Sequence, residues 1–250
     1  MIWNLLPTIS APMPLQMALD ELLFEFQKKE ARAPTLRFFI SSSPWISVGC
    51  SFRDSAALSK SDLVLKNSRV PVCRRITGGG CVLHGEDLIF SLIVRYDRGQ
   101  ALFSERGQAS FSSGKKPVSE ESACPLISST RTSYAKIHES VKRGLQSCGF
   151  DPKFYSSDDE LSKGSDCFDF PVESDLSWKE KKIAGGAQKR SEGVLLHHES
   201  ISIPPGVGRE NLIQAIRKGL ESVFGVSIQH ADLDPGLFFE AERLVKVRIN

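Results

Sequence analysis

The chain lacks most of the features that would assign it quickly. Its six cysteines (Cys50, Cys73, Cys81, Cys124, Cys148 and Cys167) contain no C-x-x-C pair. Zinc ribbons and thioredoxin-type redox sites are therefore not expected. No Lys or Arg precedes Lys28, so the positive flank of a secretory signal is missing. The longest apolar stretches, such as Leu88–Val94, fall far short of the ~20 residues a membrane span needs. Neither sign of charge dominates, with 32 Lys and Arg against 30 Asp and Glu. No basic stripe interleaved with aromatics is present, so nucleic acid is not an expected partner. The expectation is a cytoplasmic protein with reduced thiols and no membrane contact.

What remains is ordinary globular composition, 40% hydrophobic and 25% charged over 250 residues. A chain of that length buries roughly 70–75% of its unfolded surface and needs no disulfide or metal to hold a core. Helical and strand periods are mixed along it. Leu15, Leu19, Leu22, Leu23 and Phe26 predict an amphipathic helix over 14–30, with Pro34 beyond its end. Thr35–Ile40 and Trp45–Cys50 read as strands joined by a turn at Ser41–Pro44. Val70–Arg75 reads as a short strand, and Leu88–Tyr96 as one buried on both faces. Residues 98–130 are rich in Ser and Gly with no period, and read as a mobile loop or insertion. Tyr134, Ile137, Val141, Leu145 and Cys148 mark a second helix closed by Gly149. Residues 151–177 read as irregular. Lys181–Gln188 and Gly193–Ile203 are expected to flank a turn, and a third helix runs from Arg209 to Phe224. This mixture predicts an α+β fold, a central mixed sheet with packed helices.

Three segments could carry chemistry. The first is Arg74-Arg75-Ile76-Thr77-Gly78-Gly79-Gly80-Cys81-Val82-Leu83-His84. Three glycines let backbone approach a ligand, and the arginines could meet an anion; a β-bulge with surface arginines fits equally well. The spacing is neither a P-loop nor a dinucleotide fingerprint. The second is Lys181-Lys182-Ile183-Ala184-Gly185-Gly186-Ala187, where a Lys opening a small-residue strand could hold a carbonyl or phosphate oxygen. An exposed Lys on a hairpin edge is the alternative. The third is Asp166-Cys167-Phe168-Asp169, a Cys in a polar setting that a nearby Lys would activate, or else a half-exposed thiol with no role. His84, His197 and His198 do not make a metal set. The last two are adjacent and would face opposite sides of a strand.

Taken together, Arg74–His84, Lys182–Ala187 and Val194–Ser200 resemble the lipoate-protein ligase and octanoyltransferase superfamily, whose fold is shared with biotin protein ligases. Gln16-Met17-Ala18-Leu19-Asp20-Glu21, Leu36-Arg37-Phe38-Phe39 and Trp45-Ile46-Ser47-Val48-Gly49 add to the likeness. Cys167-Phe168-Asp169 before Lys182 is similar to the catalytic Cys position of the Gram-positive-type octanoyltransferase. Gly78-Gly79-Gly80 departs from it toward the ligase version. The resemblance implies one catalytic domain over 1–225 and a C-terminal extension over 226–250. It implies octanoyl transfer from acyl carrier protein to a lysine of lipoyl domains, those of 2-oxoacid dehydrogenases or of the glycine cleavage H protein. Cys167 and Lys182 would be catalytic. Arg75, Gly78, Gly79, Gly80, His84, Gly185 and His198 would bind substrate. No cofactor is then needed. The alternatives are an ATP- and Mg-dependent lipoate ligase, with Lys182 and Arg75 on an acyl-adenylate phosphate, and a binding module that has lost catalysis.

Overall fold

The computed structural model describes the chain except residues 31, 53–68, 97–128, 157–174 and 250. Eleven strands and four helices are assigned among the described residues. They are β1 (Ile2–Ala11), α1 (Met13–Lys29), β2 (Thr35–Ser41), β3 (Trp45–Val48), β4 (Val72–Arg74), β5 (Cys81–His84) and β6 (Asp87–Arg95). There follow α2 (Thr130–Ser147), β7 (Lys153–Phe154), β8 (Leu176–Trp178), β9 (Lys181–Ser191), β10 (Val194–Ser202), α3 (Arg209–Phe224), β11 (Ser227–His230) and α4 (Pro235–Ile249). Cys167 and almost all of the 98–130 segment lie outside the described residues.

The main sheet has the order β11-β1-β2-β6-β10-β9-β8-β7. It is mixed: β1 runs parallel to β2 and β11, whereas β6, β10 and β9 pair antiparallel. The α+β expectation is borne out. The sheet is covered on both faces, which explains why β6 reads as an unbroken apolar run. Its alternate residues Leu88, Phe90, Leu92 and Val94 pack toward α2 and α3, in a core with Ile137, Val141 and Ile216. The opposite set turns toward α1: Ile89 joins Met13 and Met17, and Ile93 joins Phe24.

The two strands expected on either side of Ser41–Pro44 are present, but they do not pair with each other. β2 enters the main sheet, while β3 leaves it to centre a small sheet of order β4-β3-β5. That switch is what forms the site, because the small sheet closes over the cavity between α1, β9 and β10. The expected irregular stretch contains β8, which pairs with β9 and carries Asp175 at its entrance.

A buried ion pair holds α1 against the sheet. Arg37 on β2 contacts Asp20 on α1, 2.8 Å between Nη2 and Oδ1, with both side chains fully buried. Ser91 on β6 donates to Asp20 Oδ1 at 2.8 Å, and His198 Nε2 on β10 donates to Asp20 Oδ2 at 3.1 Å. One carboxylate thus joins three strands to the helix. Burial would raise the Asp20 pKa, but Arg37 and His198 hold it below the ordinary carboxylate value.

Candidate active site

A cavity of about 200 Å³ lies between the two sheets under α1. Its apolar wall is made by Met13, Met17, Val82 and Ile89. Its polar wall is made by the small-residue strand β9 and by His198, Glu199 and Ser200 of β10.

Lys182 is at the cavity edge. The β8–β9 register shifts between Leu176 and Ser177, so that Ser177 faces Lys182. A bulge of this kind re-aims a side chain. Lys182 Nζ lies 2.7 Å from Asp175 Oδ2, and Asp175 is 1% exposed. The aliphatic arm of Lys182 folds across Gly185: a Cβ there would come within 2.3 Å of its Cε and 2.5 Å of its Nζ. The small residue at 185 therefore sets where the ammonium sits. Gly185→Ala is expected to keep the fold, since the atoms that must move most are the far end of the flexible Lys182 side chain, with Asp175 Oδ1 next at 3.1 Å. It should move the ammonium and lower turnover by at least ~10-fold, given that one positioned donor is worth ~10²–10³. Steady-state rates beside a melting curve check this; unchanged turnover would show that the lysine's position does not matter.

The glycine loop is shaped by Arg75. Its Nη1 donates to the Ser47 carbonyl and to Ser47 Oγ, both at 3.0 Å. Its Nη2 donates to the carbonyls of Gly78 at 2.8 Å and Gly80 at 2.9 Å. Gly79 has φ +88°, a left-handed conformation that glycine adopts without strain. The loop passes so close to β3 that a Cβ on Gly49 would fall 2.1 Å from the Gly79 carbonyl oxygen. Burial lowers the Arg75 pKa to about 10, so the guanidinium stays charged at neutral pH.

A second buried carboxylate underlies β9. Arg190 Nε donates to Gln188 Oε1 at 3.3 Å, which leaves Gln188 Nε2 to donate to His197 Nδ1 at 3.1 Å. His197 therefore carries its proton on Nε2 and donates to Glu199 Oε2 at 2.8 Å. His138 Nε2 lies 3.1 Å from the same oxygen. A Cβ on Gly186 would sit 2.5 Å from Glu199 Oε2, so only glycine fits above this pair. The ligand atoms of His138, His197 and Glu199 lie within 4.8 Å of one another, a set with the right donors for a cation. The proton that Gln188 fixes on His197 Nε2 points where a metal would have to bind, so a hydrogen-bonded carboxylate accounts for the arrangement.

Residues 12–112 match the model of the lipoyl protein ligase A/B catalytic domain. They belong to that family. The curated relatives extend the likeness further along the chain. An octanoyltransferase LipM of Exiguobacterium sp. is 32% identical over 208 residues, covering 80% of this chain and 66% of the relative. An octanoyltransferase LipM of Oceanobacillus iheyensis is 27% identical over 205 residues, covering 82% and 65%. The chain thus spans just under two thirds of the length of these relatives. A solved bi-partite lipoate protein ligase from Thermoplasma acidophilum shares the fold, with TM-score 0.65, 17% identity, and coverage of 98% of this chain and 92% of that one.

On this lipoyl-ligase framework most of the residues expected to bind substrate come together. Arg75, Gly79, Gly80, His84, Lys182, Gly185 and His198 all line the cavity. Gly78 is not among the lining residues and instead accepts from Arg75. His198 lines the cavity but holds Asp20 on one side and Thr77 Oγ1 on the other, at 3.0 Å. His197 and His198 do face opposite sides of β10, as their adjacency requires. Asp175, Glu199, Ser47 and the methionines of α1 were not expected from the sequence. Among the described residues, Cys50, Cys73 and Cys148 are free thiols.

Acid should unfold this site progressively. Burial would raise Glu199, but the charge and hydrogen bonds of His138 and His197 hold it down to about 2. Burial also lowers His197 and His198 below 6.5. All three groups bind fewer protons folded than unfolded, so their contribution is complete above 6.5 and is lost as pH falls. The melting temperature is expected to drop monotonically below pH 6.5. Glu199→Gln should flatten the part below pH 4.5. A stability maximum below pH 5 would contradict the assignment.

Proposed function

We propose that the chain is an octanoyltransferase, moving an octanoyl group from acyl carrier protein to a lysine of lipoyl domains through a thioester on Cys167. The observation that carries this reading is the placement of Lys182, an ammonium held by buried Asp175 at the mouth of a cavity whose far wall is methionine and isoleucine. An apolar pocket with a fixed ammonium at its edge suits a straight acyl chain ending in a polar carbonyl. The names of the LipM relatives, at 27–32% identity, support the same reaction.

In this mechanism the Cys167 thiolate attacks the acyl carbonyl. The carrier's thiol leaves, and the acyl group passes to sulfur. Lys182 holds the carbonyl oxygen as negative charge develops on it. The neutral amine of the target lysine then attacks, an amide forms as the C–S bond breaks, and the proton shed by the amine passes to the departing sulfur or to water. Both steps exchange acyl bonds, so neither requires ATP or a metal. The partners follow from the chemistry: an acyl carrier protein as donor and a lipoyl domain as acceptor, the latter being what the T. acidophilum ligase is described with.

The test is to incubate a lipoyl domain and the purified protein with octanoyl carrier protein, or separately with lipoate and ATP. Intact mass of the lipoyl domain reads the outcome. Octanoylation with the first donor is expected; lipoylation with the second alone would make the protein a ligase. No modification with either would leave only a binding role.

A further inference from the structure

The cavity holds a second set of groups that the proposed transfer does not use. Ser47 on β3, His84 on β5 and Asp87 at the start of β6 are joined in one line. Ser47 Oγ is 2.8 Å from His84 Nε2, and His84 Nδ1 is 2.7 Å from Asp87 Oδ2. Asp87 also accepts from the Gly85 amide at 3.1 Å and from Ser200 Oγ at 2.7 Å. Burial would raise its pKa, but the hydrogen bonds from His84, Ser200 and the Gly85 amide keep it below the ordinary value. Asp87 is therefore an acceptor only, so His84 must carry its proton on Nδ1. His84 Nε2 is then a lone pair facing the Ser47 hydroxyl.

We propose that Ser47, His84 and Asp87 form a nucleophile–base–orienting triad that acylates Ser47 from medium-chain esters or thioesters, giving the protein a hydrolase activity. The connectivity and distances are those required for nucleophilic serine. Ser47 and His84 both line the cavity, with Met13, Met17 and Ile89 across it to take an apolar chain. The Arg75 guanidinium, 3.0 Å from Oγ, supplies a positive charge beside the developing alkoxide. A look-alike elsewhere shows what is distinctive. Thr77, His198 and Asp20 are linked in the same order. Thr77, however, does not line the cavity, and Asp20 is already paired with Arg37.

Ser47 Oγ bonds to the acyl carbon as its proton passes to His84 Nε2. The alcohol or thiol departs, taking that proton. Water then adds to the acyl carbon and gives a proton to His84. The Ser47 oxygen leaves with it, releasing the carboxylic acid.

The proposal rests on the acyl-binding cavity of the proposed function but not on carrier-dependent transfer. The test treats the full chain with an octyl fluorophosphonate, followed by intact mass and peptide mapping. One phosphonyl group on Ser47 is expected, absent in Ser47→Ala. Labelling should slow at least ~10-fold in Asp87→Asn, where His84 loses its orienting acceptor. Hydrolysis of p-nitrophenyl octanoate should fall with it. Mapping on the wild type decides the site even if a variant fails to fold. A wild type that takes no label, or takes it elsewhere, overturns the proposal. So does an Asp87→Asn variant that folds and labels at full rate. A protein that labels at Ser47 yet transfers nothing defeats the proposed function alone. One that transfers while Ser47 stays unreactive defeats the triad alone.

Discussion

Lys182→Ala is expected to lower octanoyl transfer by ~10²–10³-fold, the range found when a positioned donor to a developing oxyanion is removed. The variant should fold. Lys182 is on the rim, and its partner Asp175 regains access to water once the side chain is cut back. The reason for so large an effect is pre-organisation. Asp175 and the groove over Gly185 fix the ammonium before substrate arrives, so little reorganisation accompanies the reaction. Asp175→Asn should give a smaller loss, because the ammonium remains but is less firmly held. Turnover of Lys182→Ala within threefold of the wild type would show the lysine to be an edge residue only.

Arg37→Leu should have the largest effect on stability. It leaves the Asp20 carboxylate fully buried without its strongest opposing charge. Breaking a buried pair by removing one partner costs about 3–5 kcal/mol. The doubly substituted Arg37→Leu, Asp20→Leu protein should recover part of that loss, because no uncompensated charge remains. Urea denaturation of the three proteins measures it. A single variant within about 1 kcal/mol of the wild type would mean that water reaches Asp20, against its complete burial. The consequence extends to function, since α1 carries Met13 and Met17 over the cavity and Asp20 is what fastens that helix to β2, β6 and β10.

Three of the four helices assigned among the described residues are legible because their apolar residues recur at 3–4 spacing, and α3 has its expected bounds, Arg209–Phe224; α4, in the stretch expected as an extension, is not. The long run of β6 also declared itself, being buried on both faces. β1 did not. Its Pro7 interrupts the strand pattern, and the pairing with β2 accommodates it by a register shift between Leu6 and Ile9. The small sheet is not legible, because a turn signal at Ser41–Pro44 says that the chain bends and not which strand it then joins. At the site, the glycine and lysine segments drew attention through composition. Arg75 was expected to meet an anion, yet a sequence cannot show that its donors are taken by Ser47, Gly78 and Gly80. Glu199 and Ser47 lie in segments that carry the family likeness, yet nothing local marks them as site residues, and Asp175 lies in a stretch that reads as irregular. Their roles arise from the strand neighbours that the sheet brings beside them.

The most direct test of the transferase reading is the intact mass of the protein after mixing with octanoyl carrier protein alone. One octanoyl group should load onto the wild type and be removed by neutral hydroxylamine, as a thioester is. Loading should be lost in Cys167→Ala and kept when Cys50, Cys73, Cys81, Cys124 or Cys148 is replaced. If instead no adduct forms, and Cys167→Ala still modifies a lipoyl domain from lipoate and ATP, the protein is a ligase and the cysteine mechanism is wrong.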